Sequence, residues 1–326
     1  MTPLRIGTRG SELARFQANA VAALLHETSG ASTEIVIIKT SGDRLAEATL
    51  SEIGGKRLFV KEIEDALLDN HIDLAVHSSK DMPVVLPEGL HIAAVLPRED
   101  ARDAVVLSAA KGAAVTDGSI AGLARVLGRA PRIGTSSVRR SAQLRRLWPA
   151  ARFLPVRGNL DTRLRKLDEG QYDALVLAAA GLLRLGRGDR ISSALPFDAC
   201  VPAPGQGIIA IETRVGDDAA TAAAARISDP RAATALAAER AVIVRLGGGC
   251  QMPIGAYAEV HGDQMQMTAV VVSLDGARAA HTSAEGPASD PGDLGRQVAE
   301  RLRLAGAEDI LADVTRAQAA VEGLQP

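Results

Sequence analysis

Residues 5–14 read RIGTRGSELA and residues 132–144 read RIGTSSVRRSAQL. Each begins as a short strand, turns at Gly-Thr followed by small polar residues, and continues with helical spacing. Ser11 stands where it caps a helix through ELARFQANAVAALLH, whose apolar residues recur every three and four positions. Outward from the first copy, EIVIIK (34–39) is a β-branched strand, FVKEIEDALLDN (59–70) an amphipathic helix, and DLAVHS (73–78) another strand. Strands alternating with helices predict an α/β lobe with a mostly parallel sheet covered on both faces. The second copy has the same surroundings. DAVVL, PRIGTSS and RFLPVR read as strands, SVRRSAQLRRLW and NLDTRLRKLDEG as helices, and YDALVLAAAGLLRLG as a buried strand with a short helix. Two similar lobes with a cleft between them are the expectation.

Beyond them, PAPGQGIIAIETR (202–214) is a Gly/Pro turn entering a strand. A third unit starts near Ser228 or Asp229, with Pro230 in the first turn of a long helix that Gly247 ends. IGAYAEV, QMQMTAVVVSL and the stretch after Gly276 read as an antiparallel meander, and residues 290–306 as its covering helix.

The 326 residues are 47% hydrophobic and 23% charged, with a net charge of -2, as in ordinary globular proteins. The start MTPLRIGTRGS has no signal-peptide pattern, and no apolar run has the length of a membrane helix, so a cytoplasmic location is expected. Cys200 and Cys250, the only cysteines, are expected to be reduced. The six histidines fall into no ligand spacing, and no metal is expected.

Arginine is dense between 132 and 166. Runs of this kind are commonly solvated helix faces, but several of these residues stand at strand ends or in first helical turns. Arg139 and Arg140 occupy a first turn, where unpaired N–H groups already favour an anion, and a guanidinium adds a planar fork for carboxylate or phosphate. Arg157 ends a strand, Arg163 lies in the next helix, and Arg9 and Ser11 hold the matching place in the first lobe. Nucleic acid fits poorly, because the chain is slightly acidic and only 2% aromatic. A small polyanionic ligand between two lobes fits better, with carboxylate and phosphate undistinguished on this ground. In HSSKDMP (77–83), Asp81 follows a strand end beside Lys80. Among cations it would stay ionised and serve a positive centre or a proton transfer. In LGGGCQMP (246–253), Cys250 follows three glycines, which reads either as a helix-ending turn whose cysteine tucks inward or as a hinge that displays its thiol.

Nine ordered stretches resemble the porphobilinogen deaminase (hydroxymethylbilane synthase) family: IGTRGSELA, IIKTSGDR, GGKRLFVKEIE, DLAVHSSKDMP, IGTSSVRRSAQL, VRGNLDTRLRKLD, AGLLRLG, PAPGQG and GGGCQMPIGAYAE. The resemblance implies a transferase of porphyrin and heme biosynthesis. Such enzymes join four porphobilinogen molecules head to tail, release ammonia at each step and hydrolyse off the linear tetrapyrrole hydroxymethylbilane. It implies a dipyrromethane cofactor in thioether linkage to Cys250 and a catalytic Asp81. Cofactor-binding roles fall on Lys80, Ser11, Arg139, Arg140, Arg163, Arg184 and Ser136, and substrate-binding roles on Arg9, Arg157, Gln206, Lys56 and Lys61. Lys56 and Lys61 belong by this likeness to a loop and helix start over the cleft.

The implied architecture is two periplasmic-binding-protein-like α/β lobes plus a small α+β C-terminal domain with an antiparallel sheet. Residues 1–101 and 203–225 form domain 1, 102–202 domain 2, and 226–326 domain 3, which carries the cofactor cysteine. A monomer is expected, since no coiled-coil pattern or apolar stripe demands a dimer, with no nucleic acid or membrane partner and with hand-over of product to the next pathway enzyme. Two positions depart from the family pattern. Asp161 stands where Gly is frequent and is expected to point outward on a first helical turn. Gly247 replaces a common acidic residue, which loosens the loop before Cys250.

Overall fold

Both RIGT segments are strands, and the structure, a computed structural model, describes residues 2–41, 60–112, 119–249 and 251–322. The first lobe runs β1 (Leu4–Thr8), α1 (Glu12–Ser29), β2 (Thr33–Ile37), α2 (Lys61–Leu68), β3 (Leu74–Ser78) and β4 (Leu90–Val95). The second runs β5 (Asp103–Leu107), a helical turn at Ala109–Gly112, α3 (Ile120–Leu127), β6 (Arg132–Gly134), α4 (Val138–Leu144), β7 (Arg152–Leu154), α5 (Leu160–Asp168), β8 (Ala174–Ala178), α6 (Ala179–Arg184) and β9 (Ser193–Ala194). The chain then re-enters the first sheet as β10 (Ile209–Arg214), followed by α7 (Asp218–Ala225).

The sheet orders are β2-β1-β3-β10-β4 and β7-β6-β8-β5-β9, one topology used twice. The likeness reaches individual bonds. The Arg5 backbone N–H donates to Asp73 at 2.8 Å while its guanidinium grips the same carboxylate, and Arg132 does the same to Asp173, also at 2.8 Å. Each pair clamps the start of the first strand of its RIGT unit to the start of the central strand beside it. Gly7 and Gly134 are required by that close packing. A Cβ would lie 2.3 Å from Ile72 Cδ1 in the first case and 2.5 Å from Leu175 Cδ2 in the second.

The sheets depart from the mostly parallel expectation at one position each. β10 runs antiparallel to β3 and β4, and β5 antiparallel to β8 and β9. Both are the first strand after a crossover between lobes, so each arrives from the opposite end. Helices cover both faces of the first sheet, as anticipated. Val21 and Leu25 of α1 and Ala224 of α7 pack on Ile6 and Val76, while Ile63 and Leu67 of α2 pack with Ala75 on the other side.

The C-terminal α+β unit comprises α8 (Pro230–Leu246), β11 (Ile254–His261), β12 (Gln264–Val272), β13 (Ala279–Pro287), α9 (Pro291–Leu304) and α10 (Ala307–Glu322). The three strands form the expected antiparallel meander. Asp229 caps α8, Pro230 opens it, and Gly247 closes it in the left-handed conformation at φ 66°. Ala238 and Val242 of α8 and Val298 of α9 bury one sheet face with Met267 and Val271. Sequence reading left β4, α3, α7 and α10 unassigned. The alanine-rich α7 has little apolar contrast, and β4 follows a Pro/Gly-rich stretch.

Candidate active site

The RIGT turns and the ends of β3 and β8 converge on a cavity of about 540 Å³ between the lobes. Arg9, Lys80, Arg140, Arg157, Arg163 and Arg184 line it, with Ser11, Ser136 and Asp81. The first lobe contributes Arg9 and the Lys80–Asp81 turn, and the second contributes the remaining arginines. Ser11 caps α1 by accepting from Ala14 N at 3.4 Å, so it faces the cleft as part of a helix start. The Ser136 hydroxyl donates to Val156 O at 2.8 Å and accepts from Val156 N at 3.1 Å, which ties the turn after β6 to the strand end before Arg157.

Two arginines are aimed by main-chain carbonyls. Arg163 Nε donates to Gly158 O at 2.8 Å, and Arg184 Nη2 to Gly207 O at 2.6 Å. Burial, with Arg140 next in weight, lowers the Arg163 pKa, and burial lowers that of Arg184. Lys80 is half-buried, and its ammonium is pushed down to about 8 by burial and then by the field of Arg140, with Asp81 and Asp103 opposing. Asp81 ends the 3-10 turn Ser79–Asp81 directly after β3 and is exposed to the cavity.

Beneath the cavity floor lies a buried network. Asp103, fully buried, accepts from Arg139 Nη1 at 2.6 Å, Arg140 Nε at 2.8 Å and Gln206 Nε2 at 3.0 Å. Burial alone would raise this carboxyl, yet the two guanidiniums hold it well below the usual carboxylate range. Gln206 Oε1 accepts from Arg140 at 3.3 Å and Lys80 at 3.4 Å, so one amide touches cationic residues of both lobes. Cys200 Sγ lies 3.3 Å from Asp103, and burial, then Asp103, pushes its thiol far up, leaving it inert.

The expected site residues therefore divide. Ser11, Lys80, Asp81, Ser136, Arg9, Arg140, Arg157, Arg163 and Arg184 meet at one cavity. Arg139 was expected to face the ligand but instead spends its guanidinium on Asp103 and on Val201 O at 2.7 Å, because a buried carboxylate requires its counter-charge. Gln206 is wholly buried beneath the cavity rather than on its wall. Lys61 starts α2 and pairs with Asp65 at 3.0 Å on the exposed side. Asp161 points outward to Arg187 at 3.2 Å. Lys56 and Cys250 lie outside the described residues. On either side of Cys250, Gly248 N donates to Ile243 O at 3.1 Å and Gln318 Nε2 donates to Gln251 O at 3.2 Å.

Asp103 went unnoticed in the sequence, although an acid opening the apolar run DAVVL was a usable signal. Arg98 and Glu239 were missed too. Glu239 is buried and accepts from Arg98 Nη1 at 2.6 Å, Gly205 N at 2.7 Å and Ala258 N at 2.8 Å, joining both crossovers to the C-terminal unit. Among the described residues, no group of three or more His, Cys, Asp or Glu is placed to hold a metal ion. No helix among them is long and apolar enough to cross a membrane.

Two α/β lobes enclosing a polycationic cleft, with the exposed carboxylates of Glu12 and Asp81 on its wall, define a protein that handles a multiply carboxylated or phosphorylated small molecule. Residues 4–222 match the family model "porphobilinogen deaminase, dipyromethane cofactor binding domain", and residues 233–303 match "porphobilinogen deaminase, C-terminal domain". The chain belongs to the porphobilinogen deaminase family. It is 44% identical over 320 residues to the porphobilinogen deaminase of Geobacter metallireducens, covering 98% of this chain and 97% of that protein. It is 46% identical over 316 residues to that of Acidithiobacillus ferrooxidans, covering 96% and 99%. Among solved structures, an ancestral cationic amino acid solute binding protein matches with a TM-score of 0.42 at 15% identity, over 69% of this chain and 88% of that one.

Proposed function

We propose that the cleft is the site at which this chain performs its family's reaction, with Asp81 as the catalytic carboxylate and Cys250 as the cofactor anchor. The chain is a transferase that joins four porphobilinogen molecules head to tail, with loss of ammonia, into hydroxymethylbilane. The convergence of six cations from both lobes around Asp81 carries this reading. It favours carboxylate arms over phosphate, because the guanidiniums come from several elements of both lobes around a cavity of about 540 Å³ rather than from one helix start.

The residues present fit a dipyrromethane. Its acetate and propionate arms would be held by Arg140, Arg163, Arg184 and Lys80, with Ser11 and Ser136 adding hydroxyls. When bound, the group supplies the nucleophilic pyrrole carbon that primes the chain. Arg9 and Arg157 are placed to hold the carboxylates of the incoming porphobilinogen. Asp81 stabilises the positive charge that develops as ammonia departs, and takes up or returns the pyrrole proton. Arg139 and Gln206 act from below. Arg139 neutralises Asp103, and Gln206 holds Arg140 and Lys80 at a common carbonyl oxygen.

The sheet connectivity supports a division into domain 1 (1–101 and 203–225), domain 2 (102–202) and domain 3 (226–326). A monomeric, cytoplasmic enzyme that hands its product to the next enzyme of the pathway completes the proposal. Intact mass before and after Cys250→Ser tests it. Wild-type protein is expected to carry the added mass of a dipyrromethane and to give a pyrrole colour reaction, and the Ser variant to show neither. A bare wild-type mass after incubation with porphobilinogen overturns the anchor at Cys250. Asp81→Asn is expected to keep the cofactor mass and lose turnover.

A further inference from the structure

Helix α8 reaches the turn that carries Lys80 and Asp81. Ala232, Leu236 and Arg240 recur every four residues and form one stripe of the helix. Ala232 and Leu236 pack against Met82, the residue after Asp81. One turn further on, Arg240 Nη2 donates to Pro83 O at 3.0 Å and Val84 O at 2.7 Å. These carbonyls belong to a segment whose prolines, Pro83 and Pro87, offer no N–H of their own, and Val85 within it is 76% exposed.

The same helix is fixed elsewhere. Glu239, next to Arg240, is buried against Arg98 and Gly205. Gly205 itself is wedged between Ser79 and α8, since a Cβ there would lie 2.5 Å from Ser79 Oγ and 3.1 Å from Leu236 Cδ1. From Arg240 the helix continues for about 10 Å at 1.5 Å per residue to its end at Gly247.

We infer that Arg240 is a positioning residue for the catalytic turn: α8 acts as a strut that holds the Lys80–Asp81 turn at a fixed place against the C-terminal unit. The inference rests on the reading of Asp81 given above. Arg240 is not among the residues that line the cavity; it sets where the Asp81 carboxylate stands. Displacements of about 1 Å in such a group cost on the order of 100-fold in rate.

The test uses the holoenzyme with Arg240→Met, which keeps the apolar stem, and Arg240→Lys, which keeps a donor but not the planar fork. Arg240→Met is expected to lower kcat about 10- to 100-fold with KM within about twofold, while cofactor mass and the urea midpoint stay near wild type. Arg240→Lys is expected to recover part of kcat. Wild-type kcat in Arg240→Met overturns the inference, as does a loss matched by an equal loss of cofactor or stability. If Arg240→Met does not fold, Arg240→Lys decides alone, and wild-type kcat in that folded variant overturns it. Asp81→Asn separates the two levels. If it retains turnover, the reading of Asp81 fails; if it is inactive while both Arg240 variants are normal, only the positioning role fails.

Discussion

Asp103 decides more than its position at the start of β5 suggests. It is the buried anion against which Arg139 and Arg140 are balanced. Asp103→Asn would leave two buried guanidiniums short of their counter-charge, and a destabilisation of about 3–5 kcal/mol is expected in urea unfolding at pH 7. Because its folded pKa is depressed, this stabilisation is fully present above the ordinary value of 3.8 and is lost only as pH falls toward the folded value. The gap between wild type and variant should therefore persist at pH 5 and close only in strong acid; a gap already closed at pH 5 would contradict the assignment. For Lys80 the depression is a penalty of burial on the charged form. Its folded pKa of about 8 lies below its ordinary 10.5, so the folded apoprotein gives up this proton first and the ammonium is lost as pH rises through 8. In apoprotein with 13C-labelled lysine, Lys80 should titrate near 8 and move upward when porphobilinogen is added. A midpoint near 10.5 would refute this account of its burial.

At the scale of elements, the two crossovers are the structural decision. Gly207 lies at φ 88°, and a Cβ would meet Glu99 O at 2.3 Å, so the outgoing and returning segments touch backbone to backbone there. Its carbonyl also receives Arg184. Gly207→Ala is expected to cost about 2–4 kcal/mol from positive φ and overlap together, and to raise KM as Arg184 loses its aim. A calorimetric scan with steady-state kinetics checks both, and an unchanged melting temperature would show that the crossovers can part freely. In the sequence, GQG was only a weak Gly-x-Gly signal, because nothing local says that a second chain segment lies against it. The RIGT units, the α8 caps and the meander were legible, since periodicity, Ser11, Asp229, Pro230 and Gly247 each act within a few residues of themselves.

Across the whole molecule, a chain of net charge -2 concentrates cations on one internal wall. Attraction of a carboxylated substrate to that wall is partly exposed to solvent and is screened over about 8 Å at physiological salt. Raising ionic strength from 50 to 500 mM is expected to raise KM several-fold and change kcat less; a salt-independent KM would mean the arginines contribute by shape alone. The sequence by itself determined the lobes, the repeated strand-turn-helix unit, the cationic character of the ligand site and the turn bearing Asp81. These follow from local pattern, where a residue's neighbours in the chain carry the signal. Only the tertiary structure decided that Arg140 reaches the cavity wall while Arg139 does not, that Gln206 lies beneath the floor, and that Arg240 of α8 bonds the segment after Asp81. The adjacent arginines of one helix point about 100° apart; both pair with Asp103, brought there only when the second sheet closes, and of the two only Arg140 also lines the cavity.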